Sequence, residues 1–126
     1  MKDFFGIGRQ NLIVKKKIRK KINRLFKHNQ YILGPEVQML EKKLSAFVGS
    51  KYCITTSSGT DALLISLICL GISQGDEVIV PNFSYIASAE VIKRVGAKPI
   101  FVDIKMSDFN INEDLIEKKI SKKTKA

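Results

Sequence analysis

The chain has 126 residues, of which 44% are hydrophobic, and it carries a formal net charge of +10. This length fits one domain with a buried core, and no apolar run reaches the roughly 18 residues that a membrane-spanning helix requires. Because the N-terminus has no apolar stretch among its first charged residues, the sequence predicts no secretory signal.

Two cysteines, Cys53 and Cys69, stand sixteen positions apart, and His28 is the single histidine. The sequence has no Cys-x-x-Cys motif, so we expect two buried thiols rather than a disulfide or a metal site. Together these features predict a cytoplasmic protein with no metal.

Positive charge is concentrated at the N-terminus. Residues 1–30 contain ten Lys/Arg and one acidic residue, whereas residues 31–126 contain twelve Lys/Arg and eleven acidic residues.

Apolar residues recur at helical spacing over residues 11–29, which predicts a basic amphipathic helix. Such a helix can lie on nucleic acid or on an anionic membrane, or it can pack by its apolar stripe and leave the lysines in solvent. We favour packing, because no aromatic residues are interleaved with the charge, and we expect neither nucleic acid nor membrane as a partner.

From residue 35 onward, helical and strand patterns alternate. The predicted elements are a helix from Pro35 to a stop at Gly49, a strand at 52–56, a helix from Thr60 to Gly71, a strand at 77–80, a helix ending near Val95, a strand at 99–103 and a helix at 112–120 with Asn112 as its N-cap. This order predicts an α/β fold with a mostly parallel sheet and flanking helices.

Right-handed crossovers between parallel strands place the turn at 57–60 and the loop at 81–85 at the same edge of the predicted sheet. Both segments would then line one ligand crevice. Three parallel strands form an incomplete sheet, and residues 122–126 show no element that closes it. We therefore expect the chain to be part of a longer domain.

The turn at the first predicted strand-to-helix junction carries small and hydroxyl residues, Ser57-Ser58-Gly59-Thr60. Unpaired N–H groups, the positive end of the helix dipole and three hydroxyls suit such a turn to a phosphate. The same residues also suit ordinary helix capping, because serine and threonine are preferred N-caps. Asp61 favours a helix N-terminus, but its carboxylate would repel a phosphate unless it points away.

Four segments in register carry a resemblance to a known family. They are residues 31–37 (YILGPEV), 57–63 (SSGTDAL), 75–81 (GDEVIVP) and 96–103 (GAKPIFVD). Their order and spacing resemble the N-terminal part of the DegT/DnrJ/EryC1/StrS family over roughly residues 9–126. The resemblance implies the fold-type-I architecture of pyridoxal-phosphate-dependent transferases. The charge and the apolar spacing predict a basic helical segment at 1–30, and the resemblance implies that residues 31–126 are an incomplete N-terminal part of the large cofactor-binding domain.

The resemblance also implies which residues hold pyridoxal 5'-phosphate. Gly59, Thr60 and Asp61 match the segment that holds the phosphate through the threonine hydroxyl and backbone N–H groups. Tyr85 matches the aromatic position that stacks on the pyridine ring, while we expect Phe83 to lie in the core. Residues 31–34 resemble a stretch near the sugar pocket.

The implied reaction is transfer of an amino group, typically from glutamate, to a keto sugar attached to a nucleotide, in a cytoplasmic homodimer. The family's cofactor-binding lysine and its carboxylate for the pyridinium nitrogen come from a region after residue 126. We therefore predict no catalytic residue in this chain and expect that it does not transaminate alone.

Three alternatives stay open from the sequence. A sugar dehydratase of the same family, in which the lysine is replaced, fits the same residues. A non-catalytic fragment that binds nucleic acid or membrane through its lysines would bind more weakly as salt rises. An inactive truncation product also fits.

Overall fold

The computed structural model describes residues 7–126, in two compact units that meet in sequence between Ile54 and Thr55. The first unit contains α1 (Ile7–His28) and α2 (Pro35–Val48). The second contains α3 (Gly59–Cys69), β1 (Glu77–Pro81), α4 (Ala87–Arg94), β2 (Lys98–Val102) and α5 (Glu113–Ile116), which a 3₁₀ turn at Glu117–Lys119 continues. The domain boundary at residue 30 stays a prediction.

Helix α1 confirms the predicted basic helix and begins a few residues earlier than the apolar pattern indicates. None of its residues is buried, and the apolar stripe includes Leu12 at 78% exposure and Phe26 at 60%. The described residues of the first unit therefore do not bury this stripe, although we expected it to be packed.

Helix α2 begins and ends at the residues that the sequence predicts. Pro35 occupies the first helical turn, where its missing N–H costs no hydrogen bond. Gly49 ends the helix in the left-handed conformation, with φ of 71°, and its N–H donates to the carbonyl of Ser45. Glycine adopts this backbone conformation without the steric cost that a Cβ adds.

The prediction of a strand at 52–56 is wrong. These residues form no regular element, and Tyr52 and Ile54 are 72% and 81% exposed. A β-branched run becomes a strand only when another strand accepts and donates its ladder hydrogen bonds. In the described part of the chain, no strand pairs with this segment.

Strands β1 and β2 are parallel, with Ile79 opposite Ile100, which confirms the predicted α/β fold with a parallel sheet. The buried core lies between this sheet and the helices, and its cluster comprises Ile72, Val78, Val80, Ile92 and Ala97. Alternate residues of β1 are buried, as expected of a strand with one face on the core.

Residues 123–126 pair with β1, although we expected no element here that closes the sheet. The N–H of Glu77 donates to the carbonyl of Lys123 at 2.8 Å, and that of Ile79 donates to the carbonyl of Ala126 at 2.8 Å. The N–H of Lys125 in turn donates to the carbonyl of Glu77 at 2.9 Å. Strand β1 therefore lies between β2 and residues 123–126.

The two thiols are free, as predicted, but they are not buried: Cys53 is half-buried and Cys69 is exposed. Among the helices that the structure describes, none combines the length and apolarity needed to cross a membrane.

Candidate functional site

The turn before α3 is held by Ser58, which is the N-cap of the helix. Its backbone is extended, and its Oγ accepts a hydrogen bond from the N–H of Asp61 at 3.1 Å. Its carbonyl accepts from the N–H of Ala62 at 3.0 Å. The hydroxyl of Thr56 donates to the same carbonyl at 2.9 Å. The capping interpretation of this turn is thus confirmed.

Capping leaves the first two N–H groups of α3 available. Within residues 7–126, the structure gives no hydrogen-bond acceptor for the N–H of Gly59 or for that of Thr60. A Cβ added at Gly59 would meet no atom within 4 Å, so the packing of this chain does not require glycine there. The unpaired N–H groups and the open space beside Gly59 fit an anion held at the start of the helix.

The carboxylate of Asp61 lies on the serine side of the turn. The hydroxyl of Ser57 donates to it, and the hydroxyl of Ser58 does so at 3.0 Å. These bonds, first from Ser57 and then from Ser58, and the charge of Arg94 lower the pKa of Asp61 although desolvation opposes the shift. Three hydroxyls were among the features that suited this turn to a phosphate, and two of them donate to Asp61.

Tyr85 lies in the loop between β1 and α4 and is 78% exposed. Its carbonyl accepts a hydrogen bond from the N–H of Ser88 at 3.1 Å, which fixes its backbone at the entry to the helix. The same loop is tied to β2 through the N–H of Asn82, which donates to the carbonyl of Val102 at 2.9 Å. The aromatic ring is therefore open to solvent on an anchored backbone.

Helices α3 and α4 run in the same direction across the sheet. Near their starts, Leu63 of α3 and Ser88 of α4 line one groove with Val80 of β1. Near their ends, Ile68 and Arg94 line another. Because α4 begins at the carboxyl end of β1, α3 begins at that edge as well. The turn at 57–60 and the loop that carries Tyr85 therefore lie at the same edge of the sheet.

Phe83 is not in the core, which corrects our expectation. It is 65% exposed, and its ring contacts that of Phe109 at a centroid distance of 6.0 Å and an interplanar angle of 41°. Phe109 belongs to the loop after β2, at the same edge of the parallel sheet. Sequence reasoning missed Phe109 because the two phenylalanines are twenty-six positions apart and nothing local indicates the contact.

Comparison with known proteins places most of the chain in one family. Residues 13–126 match the sequence model of the DegT/DnrJ/EryC1/StrS aminotransferase family. The chain is 48% identical over 126 residues to the UDP-2-acetamido-2-deoxy-3-oxo-D-glucuronate aminotransferase of Pseudomonas aeruginosa, a match that covers all of this chain and 35% of that protein. The chain spans about a third or less of the length of the curated relatives it matches.

Solved structures show the same fold. A DegT DnrJ EryC1 StrS aminotransferase from Brucella abortus is 38% identical with a TM-score of 0.88, over 93% of this chain and 31% of that one. The GDP-4-keto-6-deoxy-D-mannose-3-dehydratase of E. coli, with bound hydrated pyridoxal phosphate, is 27% identical with a TM-score of 0.76, over 84% of this chain and 29% of that one. The similarity confirms the predicted fold class, the fold-type-I architecture of pyridoxal-phosphate-dependent transferases.

Proposed function

Because the chain belongs to the DegT/DnrJ/EryC1/StrS aminotransferase family, we propose that it is the N-terminal part of an enzyme that aminates a nucleotide-linked keto sugar with pyridoxal 5'-phosphate. The observation that carries this proposal is the turn at the start of α3. It presents two backbone N–H groups that have no acceptor among the described residues, at a helix N-terminus and at the same sheet edge as an exposed tyrosine. The amino donor is an amino acid, for which the family resemblance favours glutamate.

In this proposal, Gly59 and Thr60 bind the phosphate of the cofactor. Their N–H groups donate to its oxygens, and the hydroxyl of Thr60 adds a third donor. The dipole of α3 favours the negative charge at this position. Asp61 acts indirectly, because its carboxylate accepts the hydroxyls of Ser57 and Ser58 and so fixes the turn.

Tyr85 orients the ring of the cofactor. Stacking on a flat aromatic face restrains a pyridine ring about two axes, while the phosphate restrains its far end. When bound, pyridoxal phosphate supplies an electron sink for the amino-transfer chemistry. We assign binding and orientation to this chain and no catalytic residue, since none of its residues matches the lysine or the carboxylate that the family resemblance implies.

Two further properties belong to the same proposal. The complete protein acts as a homodimer, as the resemblance implies. It works in the cytoplasm, which the free thiols of Cys53 and Cys69 support, because exported proteins commonly pair their cysteines.

A sugar dehydratase is the second candidate function. It is favoured by the similarity to the E. coli dehydratase with bound pyridoxal phosphate. The phosphate turn and the stacking tyrosine serve either reaction equally, because both require the same cofactor held in place.

A hybrid enzyme tests the proposal. This chain replaces the matching segment of the P. aeruginosa relative, with which it aligns over its whole length. We expect the hybrid to bind pyridoxal phosphate and to aminate UDP-2-acetamido-2-deoxy-3-oxo-D-glucuronate, the keto sugar after which that relative is named. A hybrid that folds but binds no cofactor would contradict the proposal.

The matched variants are Thr60→Val and Thr124→Val, since both threonines are half-buried. The first removes a proposed phosphate donor, and the second makes the same chemical change in the segment beside β1. We expect cofactor affinity to fall roughly ten-fold in the first, the effect of one hydrogen bond to a charged group, and to stay unchanged in the second.

A further inference from the structure

The loop after β2 folds back on itself as a closed, internally bonded unit. An antiparallel bridge joins Ile104 and Ile111, and the N–H of Asn112 donates to the carbonyl of Asp103 at 2.8 Å. Inside it, the N–H of Lys105 donates to the carbonyl of Asn110 at 2.9 Å. This loop, residues 103–112, therefore has a defined shape on which an exposed side chain can be held in place.

Phe109 occupies an unusual position in this loop. Its φ is 60°, in the left-handed region, where a bulky side chain is uncommon. Its N–H donates to the carbonyl of Lys105 at 2.9 Å, and the carboxylate of Asp108 accepts the N–H of the next residue, Asn110, at 3.0 Å. The surrounding hydrogen bonds thus hold a phenylalanine where asparagine or glycine is easier to accommodate.

The ring of Phe109 is directed at the loop that carries Tyr85. It contacts Phe83, two residues before Tyr85, at 6.0 Å between centroids, although Phe83 and Phe109 are 65% and 55% exposed. A pair of exposed rings adds little to the core of the second unit. It does connect the loop after β2 to the loop after β1 at the sheet edge that carries the proposed site.

We infer that Phe109 is a positioning residue for cofactor binding: by packing on Phe83, it fixes the loop that presents the ring of Tyr85. The inference rests on the proposed function, from which it takes the identity of the cofactor. Its geometry comes from the contact between the rings of Phe83 and Phe109. Phe109 touches neither the cofactor nor the reacting atoms in this account. It restricts the backbone two residues from Tyr85, so that the tyrosine ring is oriented before the cofactor arrives.

The key variant is Phe109→Asn, which removes the ring and suits the left-handed backbone, so the loop itself is retained. Phe109→Tyr keeps a ring and is the rescue variant. Met106→Asn is the matched control, because Met106 lies in the same loop and is 81% exposed.

The first measurement is amide hydrogen exchange over residues 82–88 in the full chain without cofactor. We expect Phe109→Asn to raise exchange roughly two- to ten-fold, the range for loss of one aromatic pair. Phe109→Tyr and Met106→Asn should leave it unchanged. Equal exchange in Phe109→Asn and the unsubstituted chain overturns the inference, as does an equal rise in the Met106 control.

The second measurement is the circular dichroism of pyridoxal phosphate bound to the hybrid enzyme, which reports the orientation of its ring. We expect Phe109→Asn to weaken this signal, and to have no further effect when Tyr85 is already replaced by leucine. An effect of the same size with and without Tyr85 overturns the inference.

The two measurements separate the inference from the proposed function. If exchange over 82–88 rises as expected while no hybrid binds the cofactor, the proposed function fails and the ordering of the Tyr85 loop by Phe109 is supported.

Discussion

The imidazole of His28, the last residue of α1, reaches the carboxylate of Glu36 in the first turn of α2. Its Nε2 lies 3.1 Å from Oε2 and 3.3 Å from Oε1. Its Nδ1 accepts the N–H of Gln30 at 3.0 Å. The pair closes the connection between the two helices of the first unit, and Arg24 lies 4.0 Å from the same carboxylate.

Glu36→Gln should reduce the acid sensitivity of the first unit. Desolvation acts to raise the pKa of Glu36. Hydrogen bonds to its carboxylate from His28 and from the backbone N–H of Glu36, together with the charges of His28 and Arg24, outweigh this effect and lower the pKa below the usual 4.5. A lowered carboxyl pKa stabilises the fold above the unfolded value, and this contribution disappears as the pH falls through the folded value. Helicity of α1 and α2, followed by circular dichroism from about pH 6 to about pH 3, should therefore fall less in the variant. An identical decline in both proteins would contradict this.

Gly34→Ala should strongly destabilise the connection between α1 and α2. A Cβ at this position would lie 2.2 Å from the carbonyl oxygen of Gln30, which is backbone and cannot rotate away. Overpacking of this kind costs about 1–3 kcal/mol. Denaturant unfolding of the full chain measures the loss, and a free energy of unfolding equal to that of the unsubstituted chain would be inconsistent with the geometry.

Gly59→Ala should separate binding from stability. Because nothing lies within 4 Å of the added Cβ, we expect the free energy of unfolding to change by no more than about 1 kcal/mol. In the hybrid enzyme, the methyl group would crowd the proposed phosphate, and we expect affinity for pyridoxal phosphate to fall roughly ten-fold. Ala62→Ser, at an exposed position in the same turn of the helix, is the control. Unchanged affinity in Gly59→Ala would argue against a phosphate at this turn.

Ser58→Ala should destabilise the second unit by about 1 kcal/mol, because it removes the N-cap of α3. Ser57→Ala keeps the cap and removes one hydroxyl donor to Asp61, so it should be less damaging at neutral pH. It should also raise the pKa of Asp61 toward the usual 3.8, since the bond from Ser57 is the main cause of the lowering. Thermal unfolding at neutral pH compares the stability of the Ser58→Ala and Ser57→Ala variants, and NMR titration of the Asp61 carboxyl follows its pKa. Equal thermal losses would contradict the assignment of Ser58 as the cap.

Local signals in the sequence predicted the helices well. Pro35 and Gly49 fix the ends of α2, and Asn112 caps α5 by accepting the N–H of Asp114 at 3.1 Å. Each of these interactions joins residues only a few positions apart, so the pattern that encodes it is visible in a short window. The turn at 57–60 is also held by a local interaction, the N-cap of Ser58, which the preference of serine for this position predicts.

Interactions between distant residues were not predictable in this way. The run at 52–56 has the composition of a strand, yet it has no partner among the described residues and stays irregular. Residues 123–126 have no strand composition, yet they pair with β1 because its open edge offers N–H and carbonyl groups. Pairing depends on which backbone lies alongside, and composition does not specify that.

The sequence by itself determined the helices, the strands β1 and β2, the capped turn at 57–60 and the family, because the signals for each lie in residues close together along the chain. Only the tertiary structure decided that Asp61 accepts two serine hydroxyls, that Phe83 is exposed, and that Phe109 contacts it. Those contacts depend on side-chain directions and on the approach of separate loops at one sheet edge. Such an approach is set by the packing of the whole unit and has no local signature.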